Sequence, residues 1–241
     1  MIKNNDRSKN LNNYKNKNLL LISGLVSSII FTSLWIIQGM FASGYNPLKH
    51  PVSSLIFTPF GWIQSINFLI TGALLIIFAV SLAKLKESEN LPFSGILLIA
   101  ICGIAWIFVG IFPTDPLNNF PIGTPILNIF PTFHGFLHSI FANIFFYGIA
   151  LSSIIFAVKF SKNNSLKIKN SKNRSWLSIL SYILGILVAL FFTLTNLGFA
   201  QLFGLGNFPG LFQRIALISG FSWIGIISLY FFLYKLNKDF V

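Results

Sequence analysis

The stretch WIQSINFLITGALLIIFAVSLAK, residues 62–84, runs from an indole to a lysine with no charge between them. About 20 apolar residues carry an α-helix across the ~30 Å hydrocarbon layer of a bilayer. In lipid a helix also satisfies its own backbone hydrogen bonds within one segment. Five further stretches of this kind flank it, at about 19–43, 93–112, 134–159, 176–197 and 214–235. Gly and Pro gather in the gaps, from Gly44 to Pro59, at Pro92, from Pro113 to Pro131 and from Gly198 to Gly210. The pattern predicts an all-α, polytopic membrane bundle of six transmembrane helices occupying 19–236.

Composition agrees with that reading. Of the 241 residues, 54% are hydrophobic and only 9% charged, whereas soluble domains carry roughly a quarter charged residues. The formal net charge of +12 does not point to nucleic acid. The basic residues flank apolar runs in tails and short loops, where orientation and anionic lipid headgroups account for them. Membrane lipids are therefore the expected partners. Cys102, the single cysteine, lies inside an apolar run; it forms no internal disulfide and reads as a small hydrophobe.

Charge placement sets the expected orientation. Fifteen of the 17 Lys and Arg residues fall in segments that would share one side of the membrane. They are the tail (Lys3, Arg7, Lys9, Lys15, Lys17), the connections after the second and fourth helices, and the C-terminus. Lys49 and Arg214 alone fall on the other side. The positive-inside rule then predicts both termini in the cytoplasm of a cell-membrane protein. Residues 1–18 read as a disordered basic tail and 237–241 as a second cytoplasmic tail. The first apolar run is longer than the ~7–15 residues of a signal-peptide core, so it reads as a retained helix. Trp62, Phe120, Phe130 and Phe133 suit an interfacial aromatic belt.

The scarce ionisable groups gather at the expected outer face: His50, Asp115, His134, His138, Lys49 and Arg214. His134 and His138 are spaced i, i+4, which puts both imidazoles on one helical face. With His50 and Asp115 they form a candidate zinc set, able in principle to activate a water. The simpler reading has these histidines anchoring a helix start at headgroup level. Asp115 and Arg214 suggest an ion pair tying the third helix to the sixth. Gln38, Gln64, Asn67, Asn143, Asn196 and Gln213 all fall in the outer halves of their helices. Ser53 and Ser54 follow His50 without a context that marks a nucleophile. With no charged residue at a midplane position, an ion-coupled pump is disfavoured.

These residues lead to one expectation and two alternatives. The first is an outward-facing polar pocket lined by His50, Gln64, Asn67, Asp115, His134, His138 and Arg214, which binds a small or lipidic ligand, or a partner, without chemistry. The alternatives are a metal-dependent membrane hydrolase using the three histidines and Asp115, with zinc as cofactor, and a passive channel or facilitator.

Five segments in order carry a resemblance to a known family: G-Y-N-P-L-K-H-P-V-S-S-L (44–55), G-W-I-Q-S-I-N-F (61–68), F-P-T-D-P (112–116), H-G-F-L-H (134–138) and Q-R (213–214). Over about residues 20–235 the chain resembles the domain of unknown function 998 family of multi-pass membrane proteins. The resemblance implies an integral membrane protein and supplies no reaction. Members often show Asp where this chain has Asn46 or Ser54, and again where Ser139 stands. A more distant likeness is to seven-helix membrane hydrolases of the ceramidase and adiponectin-receptor type. Those hold zinc with a His-x-x-x-His pair, another His and an Asp. By that analogy the ligands here are His134, His138, His50 and Asp115, on six helices and in a different chain order.

Overall fold

The structure, a computed structural model, describes residues 20–127, 130–161 and 171–239. The basic tail expected at 1–18 lies outside these residues, as do 240–241. Six α-helices follow one another: α1 (Ser23–Phe41, entered through the 3-10 turn Leu20–Ile22), α2 (Gly61–Glu89), α3 (Phe93–Ile111), α4 (Phe133–Ser161), α5 (Ser171–Phe199) and α6 (Pro209–Asp239). Two short 3-10 helices, Val52–Phe57 and Leu202–Asn207, interrupt the connections. No strand forms among the described residues. All six helices are long and apolar enough to cross a membrane, and the all-helical, multi-pass reading stands.

Several helices overrun the apolar stretches that announce them. α2 continues past Lys84 through Glu89, where Asn90 adopts a left-handed conformation (φ 52°) and the Leu91 amide donates to Lys86 O at 3.0 Å. Pro92 then stops the chain and caps α3. α6 starts at Pro209, before the expected 214, since proline is preorganised for a first helical position. It also runs through the expected start of the C-terminal tail to Asp239. Hydropathy marks the part of a helix that meets hydrocarbon, not where its hydrogen bonds end.

Each helix packs on its neighbours in the chain, and α6 returns to α1, closing a ring. Ile70, Ile77, Ile101, Ile104, Ile183 and Ile186 point outward and are exposed, as expected where lipid is the solvent. Small and hydroxyl residues line the seams. Ser28 Oγ donates to Phe221 O at 2.7 Å, and Ser228 Oγ to Leu21 O at 2.6 Å, joining α1 to α6. Ser152 Oγ reaches Gly95 O and Ser178 Oγ reaches Ala157 O, each at 2.8 Å, linking α4 to α3 and α5 to α4. Trp223 Nε1 donates to Ser181 Oγ at 3.0 Å between α6 and α5. Between α2 and α3 the backbones themselves touch. A Cβ on Gly72 would lie 2.6 Å from Gly103 O, so both positions require glycine.

The centre of the ring is aromatic. Every helix contributes: Phe31, Phe68, Trp106, Phe145 with Phe146, Phe192 and Phe221. Phe31 stacks on Phe221 at 4.4 Å, Trp106 on Phe145 at 3.7 Å and Phe146 on Phe192 at 3.9 Å, with Trp106 edge-on to Phe68 at 4.9 Å. Such pairs add about 0.5–1.5 kcal/mol each beyond burial. They also plug the bundle. At the end where α2 stops, Glu89 is fully buried, accepting from Tyr234 at 2.9 Å and pairing with Lys235 at 3.3 Å. That pair fastens α2 to α6.

Candidate functional site

The three histidines lie at the other end of the bundle, which the 42–60, 112–132 and 200–208 connections cover. Arg214, in the second turn of α6, organises the first of these. Its Nη1 donates to Pro47 O (2.6 Å), His50 O (2.9 Å) and Gly210 O (2.8 Å), and its Nη2 to the Tyr45 hydroxyl. Trp35 and Tyr45 each place a ring 5.4 Å from the guanidinium carbon. The approach is tight enough that a Cβ on Gly210 would fall 2.5 Å from His50 O. Arg214 therefore binds the 45–50 loop, and the ion pair with Asp115 suggested by the sequence does not form.

His50 is buried and bonded through both nitrogens. Nδ1 accepts from the Asn46 amide at 2.8 Å, which leaves the proton on Nε2 to donate to Asn118 O at 3.0 Å. Its ring stacks on Phe120 at 5.0 Å. Phe120 is thus buried in the cap and does not join the interfacial belt, unlike the exposed Trp62, Phe130 and Phe133. Burial lowers the His50 pKa, the Asn118 carbonyl resists the shift, and the Lys49 and Arg214 charges add to it. Burial likewise raises the Tyr45 hydroxyl to about 12, against the pull of Arg214.

Asn118, which no sequence pattern singles out, joins all three connections. Left-handed at φ 57°, it receives the His50 bond on its backbone oxygen. Its Nδ2 donates to Lys49 O at 3.3 Å, and its Oδ1 accepts from Gln201 Nε2 at 3.1 Å. The Asn118–Asn119 pair was legible only as a turn signal.

Asp115 serves the start of α4. Thr132 donates its amide to Asp115 Oδ2 (2.8 Å) and its hydroxyl to Oδ1 (2.6 Å), and accepts the Gly135 amide at 3.1 Å as the helix N-cap. A carboxylate beside the positive end of a helix is favoured there. Asp115 also lines a cavity of about 240 Å³ with Thr114, Leu117, Leu127, Pro131, Gly135, Ser139, Asn196 and Phe199. Asn196 Nδ2 donates to Asn143 Oδ1 at 3.4 Å. His134 is exposed near Phe112 and Phe133, whereas His138, one turn on, is buried with Nδ1 2.8 Å from Phe112 O.

Gln64 and Asn67 are fully buried on α2. Asn67 Nδ2 donates to Phe31 O at 3.2 Å. Gln64 Nε2 and Oε1, Asn67 Oδ1, Ser54 Oγ and Trp106 Nε1 have no hydrogen-bond partner. An unsatisfied buried polar group costs about 1–3 kcal/mol, so this region is not optimised for stability. Of the residues with unpartnered atoms, Trp106 lines a cavity of about 20 Å³, together with Phe31, Val52, Ser53, Phe68, Phe146, His138 and Gln213, among others.

The seven residues expected to share one pocket therefore occupy three places: the Arg214–His50 clasp, the Asp115 cavity with His134 nearby, and an enclosed polar layer holding Gln64, Asn67 and His138. The zinc candidates are divided among the same three. Among the described residues no three His, Cys, Asp or Glu side chains gather as a metal group.

The family described as Protein of unknown function (DUF998) matches residues 25–230. The chain belongs to this family. Neither a curated relative nor a solved structure matches it. The matched span takes in α1 through most of α6, so in this DUF998 chain the cap, the Asp115 cavity and the polar layer all lie inside the family domain.

Proposed function

We propose that this is a cell-membrane protein that binds an amine-headed amphiphile in the cavity beside Asp115, without acting on it chemically. One observation carries the reading: a cavity of about 240 Å³ at the histidine end combines a carboxylate with Ser139 and Asn196 and with the apolar walls Leu117, Leu127, Pro131 and Phe199. The other described carboxylate positions, Glu87, Glu89 and Asp239, belong to the far ends of α2 and α6. A negative charge in a partly enclosed site attracts an ammonium and repels an anion. Ser139 Oγ and the Asn196 amide oxygen supply acceptors for a head with several N–H donors. The apolar walls suit its chain, and the cavity lies at the start of a helix long and apolar enough to cross a membrane. On this reading the histidine end faces the outside, a reading supported by the basic residues concentrated toward the other end.

The test is thermal unfolding of the detergent-purified protein with octylamine and with octanol. Octylamine should raise the midpoint by several degrees and octanol should not. Asp115→Asn and the cavity-filling Ser139→Leu should each abolish the shift. Equal shifts from both compounds, or a shift that survives Ser139→Leu, would overturn the assignment.

A further inference from the structure

From the Asp115 cavity a ladder of polar side chains continues along the outward side of the α4–α5 seam. Ser139 and Asn196 line the cavity. Asn143 follows Ser139 by about one helical turn, ~6 Å along α4, and Tyr147 follows Asn143 by another. Ile140, Ile144 and Leu151 around them are exposed, so this side of α4, a helix long and apolar enough to cross a membrane, meets lipid. Asn143 and Asn196 are themselves partly exposed. Water would satisfy such amides on a soluble protein; hydrocarbon does not.

The rungs bond to one another and still leave N–H donors over. Asn143 Nδ2 donates to Ser139 O at 2.7 Å, and Asn196 Nδ2 to Asn143 Oδ1 at 3.4 Å. An amide nitrogen carries two N–H groups, so each of the two keeps one to spare. Tyr147 has none. Thr193 Oγ1 gives its proton to Ala189 O at 2.8 Å, which makes Tyr147 the donor in its 3.1 Å bond to Thr193. Spare donors on a lipid-facing seam, next to a cavity that takes an ammonium, require an acceptor that arrives with the ligand.

We infer that the ligand of the Asp115 cavity is an acylated lipid, whose chain carbonyl accepts the spare Asn143 N–H while its hydrocarbon runs on along the α4–α5 seam. The inference rests on the amine-binding reading of that cavity and adds the linkage that joins head to chain. Ser139 and Asn196 belong to the cavity and to the ladder alike, so a single molecule spans the two. An ester or amide carbonyl supplies the acceptor. An ether oxygen is a poorer one, and a plain alkylamine has none.

The experiment is native mass spectrometry of the full chain released from nanodiscs of equal diacyl and dialkyl-ether phosphatidylethanolamine. Both lipids carry the amine head, so their ratio reads the carbonyl alone. The native chain should retain the diacyl lipid about five-fold over the ether lipid, as one net hydrogen bond gives. Asn143→Leu should abolish the preference while a phosphatidylethanolamine is still retained, and Tyr147→Phe should leave the preference in place. Equal retention of the two lipids by the native chain, or a preference that survives Asn143→Leu, would overturn the carbonyl site and leave the amine site standing. Retention of neither lipid would overturn both. Paired chains that separate on Asn143→Leu would show that the amides join two copies of this protein, and would overturn the lipid contact.

Discussion

The Arg214 guanidinium donates to the Tyr45 hydroxyl and also stands 5.4 Å from the Tyr45 ring centroid, so one residue of α6 grips one residue of the covering loop twice. Because the same guanidinium gathers the Pro47 and His50 carbonyls, the loop is shaped around a cation. Lysine cannot reproduce that fork of donors. Arg214→Lys should therefore lower stability by about 3 kcal/mol, given about 1.5–3 kcal/mol for a hydrogen bond to a charged group. Tyr45→Phe should cost less, and in a double-mutant cycle of thermal unfolding the two should couple. Additive losses would show that the contact contributes nothing.

His50 makes the cap acid-sensitive. Its folded pKa lies below the ordinary value of about 6.5, through burial first and then the Lys49 and Arg214 charges, with the Asn118 carbonyl opposing. The unfolded chain then binds a proton before the folded one does, so stability rises with pH through this window. The contribution is complete above about pH 7 and is lost as pH falls below about 6.5. Unfolding temperatures of the native protein and His50→Gln, measured from pH 5 to 8, should converge toward acid. A constant difference would show that folding does not lower the His50 pKa.

Gly72 and Gly103 let α2 and α3 touch through their backbones. Gly72→Ala would place a methyl 2.6 Å from Gly103 O, which cannot move without its helix. Overpacking of this kind costs about 1–3 kcal/mol, and the loss should appear as a lowered unfolding temperature. Gly123→Ala serves as the comparison: its added Cβ meets nothing within 4 Å, although its φ of +91° brings strain of its own.

Glu89 and Lys235 fasten α2 to α6 at the opposite end. Removing one partner of a buried pair weakens what holds the other charge and costs up to about 3–5 kcal/mol. With Lys235 partly exposed, Lys235→Met should fall at the low end of that range, and Glu89→Gln with Lys235→Met should recover part of the loss. Chemical unfolding in mixed micelles reads both.

The fold was legible because lipid imposes one rule on every helix, and six charge-free runs obey it. Helix ends were less legible. The last turn of α2 and the first of α6 lie outside the runs that hydropathy marks, and there Asn90, Pro92 and Pro209 decide. At the histidine end, composition correctly marked a concentration of polar groups but could not divide it. His134 and His138 share a helical face by spacing, yet the edge of burial passes between them. Arg214 had a carboxylate to reach for in Asp115, and the backbone carbonyls of 47 and 50 came closer. Asn118 and Thr132 were missed because their roles depend on left-handed backbone and a helix start, which hydropathy does not encode.

The Asp115 cavity is the claim on which the functional account turns. Native mass spectrometry of the full chain released from nanodiscs of equal phosphatidylethanolamine and phosphatidylglycerol tests it most directly. The account predicts one retained phosphatidylethanolamine per chain, lost in Ser139→Leu. Equal retention of the two lipids, or retention unchanged by Ser139→Leu, would contradict it.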